Sequence, residues 1–122
     1  MADHNKLGRR GEEIAVSHLL ANSYAILETN WRCGRLEVDI IARLRDELIL
    51  AEVKTRMAGF LVPPLDAVNS RKQKVMIRAA NAYICRTRLN LEVRFDIITV
   101  VFTGKAFTVN HIENAFFPKL SS

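Results

Sequence analysis

The chain has 122 residues, 49% of them hydrophobic and 25% charged, which is enough apolar material for one domain and excludes an intrinsically disordered chain. Lys and Arg outnumber Asp and Glu by 18 to 13, and this basic excess is compatible with a polyanionic partner. No apolar run approaches a secretory signal or the roughly 20 residues of a membrane span, and the two cysteines lack metal-site spacing, so we expect one cytoplasmic domain over residues 1–122 with no membrane partner.

The predicted elements alternate between helical and strand periodicity. In chain order they are a helix over 6–22, strands over 24–32, 36–43 and 47–54, a long loop over 55–69, a helix from Asn69 or Ser70 to about Arg86, and strands over 93–102 and 106–112. The order α-β-β-β-α-β-β indicates an α/β fold with a single mixed sheet and flanking helices. Asp96, a charge within an apolar strand, is expected to pair with Arg94 or with a basic residue of the second helix.

The second and third strands are close enough to form a hairpin that places acidic residues opposite one another. With a two-residue turn at Arg45-Asp46, Asp39 lies opposite Glu52 and Glu37 lies opposite Lys54. Directly opposed residues have Cβ atoms about 4.5–5.5 Å apart. Because side chains alternate along a strand, all four are expected on one face of the sheet.

Two opposed carboxylates in an apolar strand pair repel each other, and a cation between them relieves that repulsion. Oxygen ligands suit Mg²⁺ or Mn²⁺, and Mg²⁺ needs only one or two carboxylates besides waters and a phosphate. Asp39 and Glu52 are therefore candidate metal ligands, and Lys54 is a candidate to position the attacking water. The alternative is that Glu52 and Lys54 are polar residues at a strand end, with Lys54 in a surface salt bridge to Glu37.

The first helix adds a third carboxylate. Glu12 shares the inward face with Ala15 and Leu19, whereas Glu13 lies on the outward face. Glu12 is thus a candidate to complete a metal site, directly or through water. The alternative is a contact with the helix dipole near an N-terminus.

The second helix carries candidate nucleic-acid-binding residues: Arg71, Lys72, Lys74 and Arg78. Three of them, at positions 71, 74 and 78, follow helical spacing and form a stripe, and no acidic residue occurs between Arg71 and Arg88 to neutralise it. Phosphate contacts from such a stripe position nucleic acid without reading its sequence. The alternative is a solvated helix face.

Several short motifs occur in a fixed order: G-R-R-G-E at 8–12, N-W-R at 30–32, L-E-V-D-I-I-A at 36–42, A-E-V-K-T-R at 51–56, K-Q-K at 72–74, N-A-Y at 81–83 and R-F-D at 94–96. Together they resemble the YraN-type family of uncharacterised bacterial proteins. That family is similar to archaeal Holliday junction resolvases and, by resemblance, to the PD-(D/E)XK nuclease superfamily. The resemblance extends from about Lys6 to Val101.

The resemblance implies a restriction endonuclease-like core and assigns roles to four residues. Asp39 corresponds to the metal-binding aspartate, Glu52 and Lys54 to the E-x-K pair, and Glu12 to the helix glutamate of resolvase-like members. This chain has Leu36-Glu37-Val38-Asp39 where the family usually has Gly-Glu-Ile-Asp, which keeps both acids and loses a glycine. Its loop after E-V-K is also less polar than usual in the family.

These observations favour an Mg²⁺-dependent endonuclease that acts on DNA, with branched or damaged DNA as the expected substrate. Asp39 and Glu52 would hold the metal, with the carbonyl of Val53 as a further ligand, while Lys54 positions water and Glu12 supports a second ion or a water. A non-catalytic module that docks nucleic acid or a helicase-like partner is the alternative, and a nuclease acting on RNA is a third hypothesis. A homodimer is expected from the resemblance, because two nicks need two sites.

Overall fold

The protein is described by a computed structural model that covers residues 2–59 and 69–117, with side chains from Lys6 onward. Its elements are helix α1 (Ala2–Ala21), strands β1 (Ala25–Cys33), β2 (Leu36–Leu44) and β3 (Glu47–Met57), helix α2 (Ser70–Thr87), and strands β4 (Glu92–Thr103) and β5 (Ala106–Phe116). This order confirms the predicted α/β fold. None of these helices is long and apolar enough to cross a membrane.

The boundaries of three elements differ from the prediction by more than one residue. Strand β5 ends at Phe116 rather than at residue 112. Helix α1 begins at Ala2 rather than at residue 6. Strand β3 continues to Met57, so residues 55–57 belong to a strand and not to the predicted loop. They remain extended because β4 continues beside them, with Thr55 aligned to Val100. The part of the predicted loop over 60–68 lies outside the described residues.

The five strands form one mixed sheet in the order β1-β2-β3-β4-β5. All neighbours are antiparallel except β3 and β4, which run parallel and are connected through α2. Alternate residues of β3 belong to two hydrophobic clusters. Leu48 and Leu50 pack with α2 residues, whereas Ile49 and Ala51 pack with α1 residues. The two helices therefore cover opposite faces of the sheet, and β3 is buried on both faces.

Both edge strands are interrupted. The register of β1 against β2 shifts between Ile26 and Glu28, and Asn30 adopts a left-handed conformation with φ of 50°. In β5 the irregularity lies opposite Asp96, where Asn114 has φ of 52° and its backbone N–H donates to Asp96 Oδ1 at 3.2 Å. A carboxylate thus takes the place of a main-chain partner at this bulge.

Asp96 is the centre of a buried polar network on the α1 side of the sheet. Arg94 donates two hydrogen bonds to its carboxylate, at 3.0 and 2.8 Å, which confirms the predicted pairing of these two residues. His111 Nε2 lies 2.7 Å from Asp96 Oδ2, and its Nδ1 lies 3.1 Å from His18 Nε2 on α1. Burial would raise the pKa of Asp96, but the hydrogen bonds from His111 and Arg94 hold it below its usual value.

Helix α1 approaches β3 closely at a single glycine. A Cβ atom on Gly11 would overlap Thr55 Oγ1 and lie 3.2 Å from Thr55 Cβ, an atom that cannot rotate away. Gly11 is buried, whereas a Cβ on Gly8 in the same helix would meet nothing within 4 Å. The close approach at Gly11 fixes the height of α1 over the sheet and so positions the neighbouring Glu12.

We predict opposite effects for the same substitution at these two glycines. Gly11→Ala should lower the free energy of unfolding by about 1–3 kcal/mol, because the added methyl group overpacks the α1–β3 contact. Gly8→Ala should raise it by about 0.5–1 kcal/mol, because alanine favours the helix and meets no obstacle. Urea denaturation of both variants measures the difference. Equal stabilisation by both substitutions would contradict the packing at Gly11, and Thr55→Ala should recover part of the stability that Gly11→Ala removes.

Candidate metal centre and nucleic-acid interface

The candidate site lies where β2 separates from β3. The hairpin register is the predicted one: the paired residues run from Leu44 opposite Glu47 to Ile40 opposite Ala51. At the next step, Asp39 enters the gap between the strands, and its Oδ2 accepts a hydrogen bond from the backbone N–H of Val53 at 2.8 Å. A side-chain oxygen therefore replaces the main-chain pairing at the point where the ladder ends.

The carboxyl groups of Asp39 and Glu52 are in contact in this gap. Burial raises the pKa of Asp39 to about 7, and a hydrogen bond to Glu52 together with its negative charge adds to the shift. The Val53 N–H and the Lys72 ammonium oppose it without cancelling it. Glu52 is itself only 6% exposed. The half-buried Asp39 thus meets the buried Glu52 in a place where a negative charge on Asp39 is disfavoured.

The predicted pairing of Glu37 with Lys54 is wrong. Glu37 aligns with Arg32 of β1 instead, with 3.5 Å between Arg32 Nη2 and Glu37 Oε1. The hairpin prediction assumed an unbroken ladder, whereas no β2–β3 pairs are formed in the described strands beyond Ile40 and Ala51. The expectation of four residues on one face also fails, because Val38 packs on the α2 side and Ile40 on the α1 side, so the alternation of β2 is broken at Asp39 between them.

Lys54 lies on the same side of β3 as Glu52, because side chains alternate along the strand. It is half-buried and aligns with Thr99 of the parallel strand β4. Thr99 is buried, and its hydroxyl oxygen has no hydrogen-bond partner within the described part of the chain. Lys54 therefore lies two residues beyond Glu52 on the same side of β3, beside Thr99, and its predicted role toward the carboxylates stays a prediction.

Glu12 lies across a cavity from Asp39. The cavity has a volume of about 380 Å³ and is bounded by α1, β1 and β2. Burial raises the pKa of Glu12, and the charge of Asp39 raises it further, while a hydrogen bond from Asn30 opposes the shift. Asn30 belongs to the N-W-R motif but was not among the predicted site residues. Its left-handed conformation in an edge strand had no clear sequence signal.

The oxygen ligands available here match the needs of a hard divalent cation in part. Among the described residues, no group of three or more His, Cys, Asp or Glu side chains is close enough to hold a metal ion. Mg²⁺ does not require such a cage, because it retains waters and binds through one or two carboxylates and a substrate phosphate. The Asp39–Glu52 pair fits that mode of binding, with the Val53 carbonyl on the adjoining backbone.

The basic residues of α2 divide into two groups. Arg71, Lys74 and Arg78 are at least partly exposed and follow the predicted stripe. Lys72 is half-buried, and its Nζ lies 3.0 Å from Glu52 Oε2. This oxygen receives the ammonium as an ion pair, without the geometry of a hydrogen bond. Lys72, which was predicted to bind nucleic acid beside the stripe, is therefore paired with the carboxylate site.

Comparing the half-buried Asp39 with the buried Asp96 separates structural acids from site acids. Asp39 and Asp96 each accept a backbone N–H at a break in strand pairing. Asp96 is neutralised by Arg94 and His111, and its pKa is lowered. Asp39 is placed against a second carboxylate, and its pKa is raised. Repulsion of this kind lowers stability, and perturbed acids of this kind concentrate at functional sites.

Comparison with known proteins agrees with the resemblance found in the motifs. The model of a family described as "Uncharacterised protein family UPF0102" matches residues 11–100. A UPF0102 protein of Phocaeicola vulgatus is 45% identical over 98% of this chain and 99% of its own length. UPF0102 proteins of Porphyromonas gingivalis and Flavobacterium psychrophilum are 47% and 43% identical, over 95% and 96% of this chain and 87% and 98% of their own lengths. The expected relation to a family of uncharacterised bacterial proteins is confirmed.

We predict that Asp39→Asn stabilises the metal-free protein increasingly as the pH rises. The pKa of Asp39 is about 7 in the folded protein and near 3.8 as its ordinary value, so the unfolded state binds fewer protons between these values. Wild-type stability should therefore fall as the pH rises through that window, and Asn removes the effect. At pH 8 the gain should be on the order of 1–2 kcal/mol, measured by urea denaturation at pH 5 and pH 8.

The matched control is the same substitution at the other aspartate. Asp96→Asn should destabilise the protein at both pH values, because Arg94 would lose its buried charge partner. If Asp39→Asn is less stable than wild type at pH 8, Asp39 is a structural residue like Asp96.

Proposed function

Because this chain belongs to the uncharacterised protein family UPF0102, we propose from its site that it is a metal-dependent endonuclease that binds and hydrolyses DNA. The observation that carries the proposal is the buried contact between Asp39 and Glu52, which adds to the rise in the pKa of Asp39 to about 7. Repulsion between two acids in this position lowers stability, and a divalent cation is a partner that makes both charges favourable.

Each residue of the site has a role in this proposal. Asp39 and Glu52 bind the cation, with the Val53 carbonyl as a further oxygen ligand. When bound, the cation polarises the phosphodiester and favours ionisation of the attacking water. Lys54 orients that water and stabilises charge on the phosphate, because it projects from the same side of β3 as Glu52. Glu12 faces Asp39 across the cavity and holds a water or a second ion there.

The stripe of α2 supplies the contact with the polyanion. It consists of Arg71, Lys74 and Arg78, and helix α2 contains no acidic residue. The charges of the stripe attract the phosphate backbone without selecting a sequence. We propose branched or damaged DNA as the substrate class because of the resemblance to resolvases, with RNA as an arm of the same assay.

A non-catalytic binding module is the second candidate, and one observation favours it. The Lys72 ammonium already lies 3.0 Å from Glu52 Oε2, so part of the negative charge of the site is neutralised by the protein itself. In this alternative the basic stripe docks nucleic acid, and the carboxylates only shape the seam between β2 and β3. Metal binding separates the two candidates.

We predict that millimolar Mg²⁺ or Mn²⁺ raises the free energy of unfolding of the wild-type protein by RT ln(1 + [L]/Kd), because the cation binds only the folded state. The melting temperature should rise accordingly. Asp39→Asn should abolish this stabilisation together with cleavage of branched, nicked, single-stranded or duplex DNA. Lys54→Ala should retain the metal-induced stabilisation and lose cleavage, since it contributes to chemistry rather than to ligation. The measurements are thermal denaturation with and without metal, and a cleavage screen that includes RNA.

The outcome that contradicts the nuclease proposal is specific. It is a wild-type protein with no shift in thermal stability in either metal and no cleavage of any substrate. DNA binding that persists under those conditions would identify the protein as a binding module.

We also predict that reversing two charges of the stripe weakens DNA binding without changing its sequence preference. Lys74→Glu with Arg78→Glu should reduce the slope of log affinity against log salt by roughly one for each phosphate that is no longer bound. Lys105→Glu is the control, because Lys105 is exposed in the β4–β5 turn, away from α2. An equal effect for each reversed charge would show a response to net charge alone and would remove the stripe as an interface.

A further inference from the structure

The ion pair between Lys72 and Glu52 connects two elements that are far apart in the sequence. Glu52 is carried by β3, and Lys72 lies in the first turn of α2, where Asn69 caps the helix by accepting a hydrogen bond from the Lys72 N–H at 2.9 Å. The backbone that carries Lys72 is therefore held in place. Its side chain remains 32% exposed, so the ammonium has a route to solvent that the Glu52 carboxylate, 8% exposed, does not have.

The position of the Lys72 ammonium matters because it lies against Glu52, one of the two proposed metal ligands. Glu52 Oε2 is in contact with Lys72 and accepts no hydrogen bond in the described part of the chain. A carboxylate oxygen of this kind is bound by charge alone, and a divalent cation of higher charge density can replace an ammonium there. A structural salt bridge would instead be reinforced by hydrogen bonds, as the pair of Arg94 and Asp96 is.

We propose that Lys72 is an exchangeable counter-cation of the site: it neutralises Glu52 in the metal-free protein, and it is displaced to the substrate phosphate when a divalent cation binds. This inference rests on the proposed nuclease function and deepens it by adding a substrate-binding residue from α2. The displaced ammonium remains on a helix whose basic stripe is expected to follow the nucleic-acid backbone. The Lys72 side chain would then neutralise Glu52 in the metal-free protein and contact a phosphate in the complex with metal and substrate.

The exchange predicts that removal of Lys72 strengthens metal binding in the absence of DNA. Lys72→Met keeps most of the aliphatic stem and removes the ammonium that competes for Glu52. Its affinity for Mg²⁺, measured by isothermal titration calorimetry at pH 8, should be about tenfold higher than that of wild type. Lys72→Arg retains the charge and should bind Mg²⁺ with an affinity close to that of wild type.

Lys74→Met is the matched control for the titration. It removes the same charge from the same helix, but Lys74 is exposed and belongs to the stripe rather than to the carboxylate site. Its Mg²⁺ affinity should stay within about twofold of wild type, because exposed charges are largely screened. Equal gains for Lys72→Met and Lys74→Met would mean that only net charge matters, and would overturn the exchange.

Displacement to phosphate gives a second measurement that does not depend on cleavage. With Ca²⁺ present, Lys72→Met should reduce the salt slope of DNA binding by about one, because one ammonium no longer reaches a phosphate. Without a divalent cation the slope should equal that of wild type, because the ammonium is then held by Glu52. A slope reduced equally in both conditions would place Lys72 with the stripe and overturn its displacement.

The two proposals can fail separately. If Lys72→Met binds Mg²⁺ more tightly and no nucleic acid is cleaved, the exchange stands and the nuclease function fails. If the wild-type protein cleaves DNA and the Mg²⁺ affinity of Lys72→Met is unchanged or lower, the nuclease function stands and Lys72 is an ordinary salt-bridge residue. If a folded Lys72→Met and the wild type both fail to bind Mg²⁺ and Mn²⁺, both proposals are overturned.

Discussion

The contact between the half-buried Asp39 and the buried Glu52, where β2 leaves β3, is the constraint on which the candidate site depends. Asp39 can enter the seam only because the ladder ends after Ile40 and Ala51, and the Val53 N–H holds it there. The seam then exposes the carboxyl group of Asp39 to both layers of the protein, with Glu12 on the α1 side and Glu52 with Lys72 on the α2 side. A continuous hairpin would have confined these acids to a single face.

The rest of the fold keeps β2 and β3 apart at this gap. Strand β3 is aligned with β4 from Glu47 to Met57, so the strand that carries Glu52 and Lys54 is held along its whole length on one side. On its other side β2 is free to diverge. The helices then set the depth of the site, α1 through the close approach of Gly11 to Thr55 and α2 through the cap at Asn69. Strand β3 is thus rigidly paired with β4 and unpaired with β2 at the site, which suits carboxylates that must be held in place and still accept a cation.

The sequence predicted what depends on local pattern and missed what depends on distant contacts. The register of the β2–β3 hairpin follows from a two-residue turn, and the start of α2 follows from a capping residue, so both were predictable. The entry of Asp39 into the seam was not, because alternation assumes an unbroken ladder. Lys72 was grouped with its helical neighbours, although only the packing of α2 on the sheet reveals that its ammonium reaches Glu52. The G-R-R-G-E and N-W-R motifs include Gly11 and Asn30, but the sequence alone did not reveal the close approach of Gly11 to Thr55 or the left-handed backbone of Asn30.

The kinks in the two outer strands have a consequence for self-association. An uninterrupted border strand offers a row of unpaired N–H and C=O groups that can template the addition of another chain. Here that row is broken at Asn30 on one border and at Asn114 on the other, and the charged side chains of Glu28, Arg32 and Glu113 stand near the breaks. Growth of the sheet into a continuous intermolecular ribbon, and with it amyloid-like stacking, is therefore disfavoured. The same breaks disfavour pairing of two copies edge to edge, so each copy keeps its own five-stranded sheet.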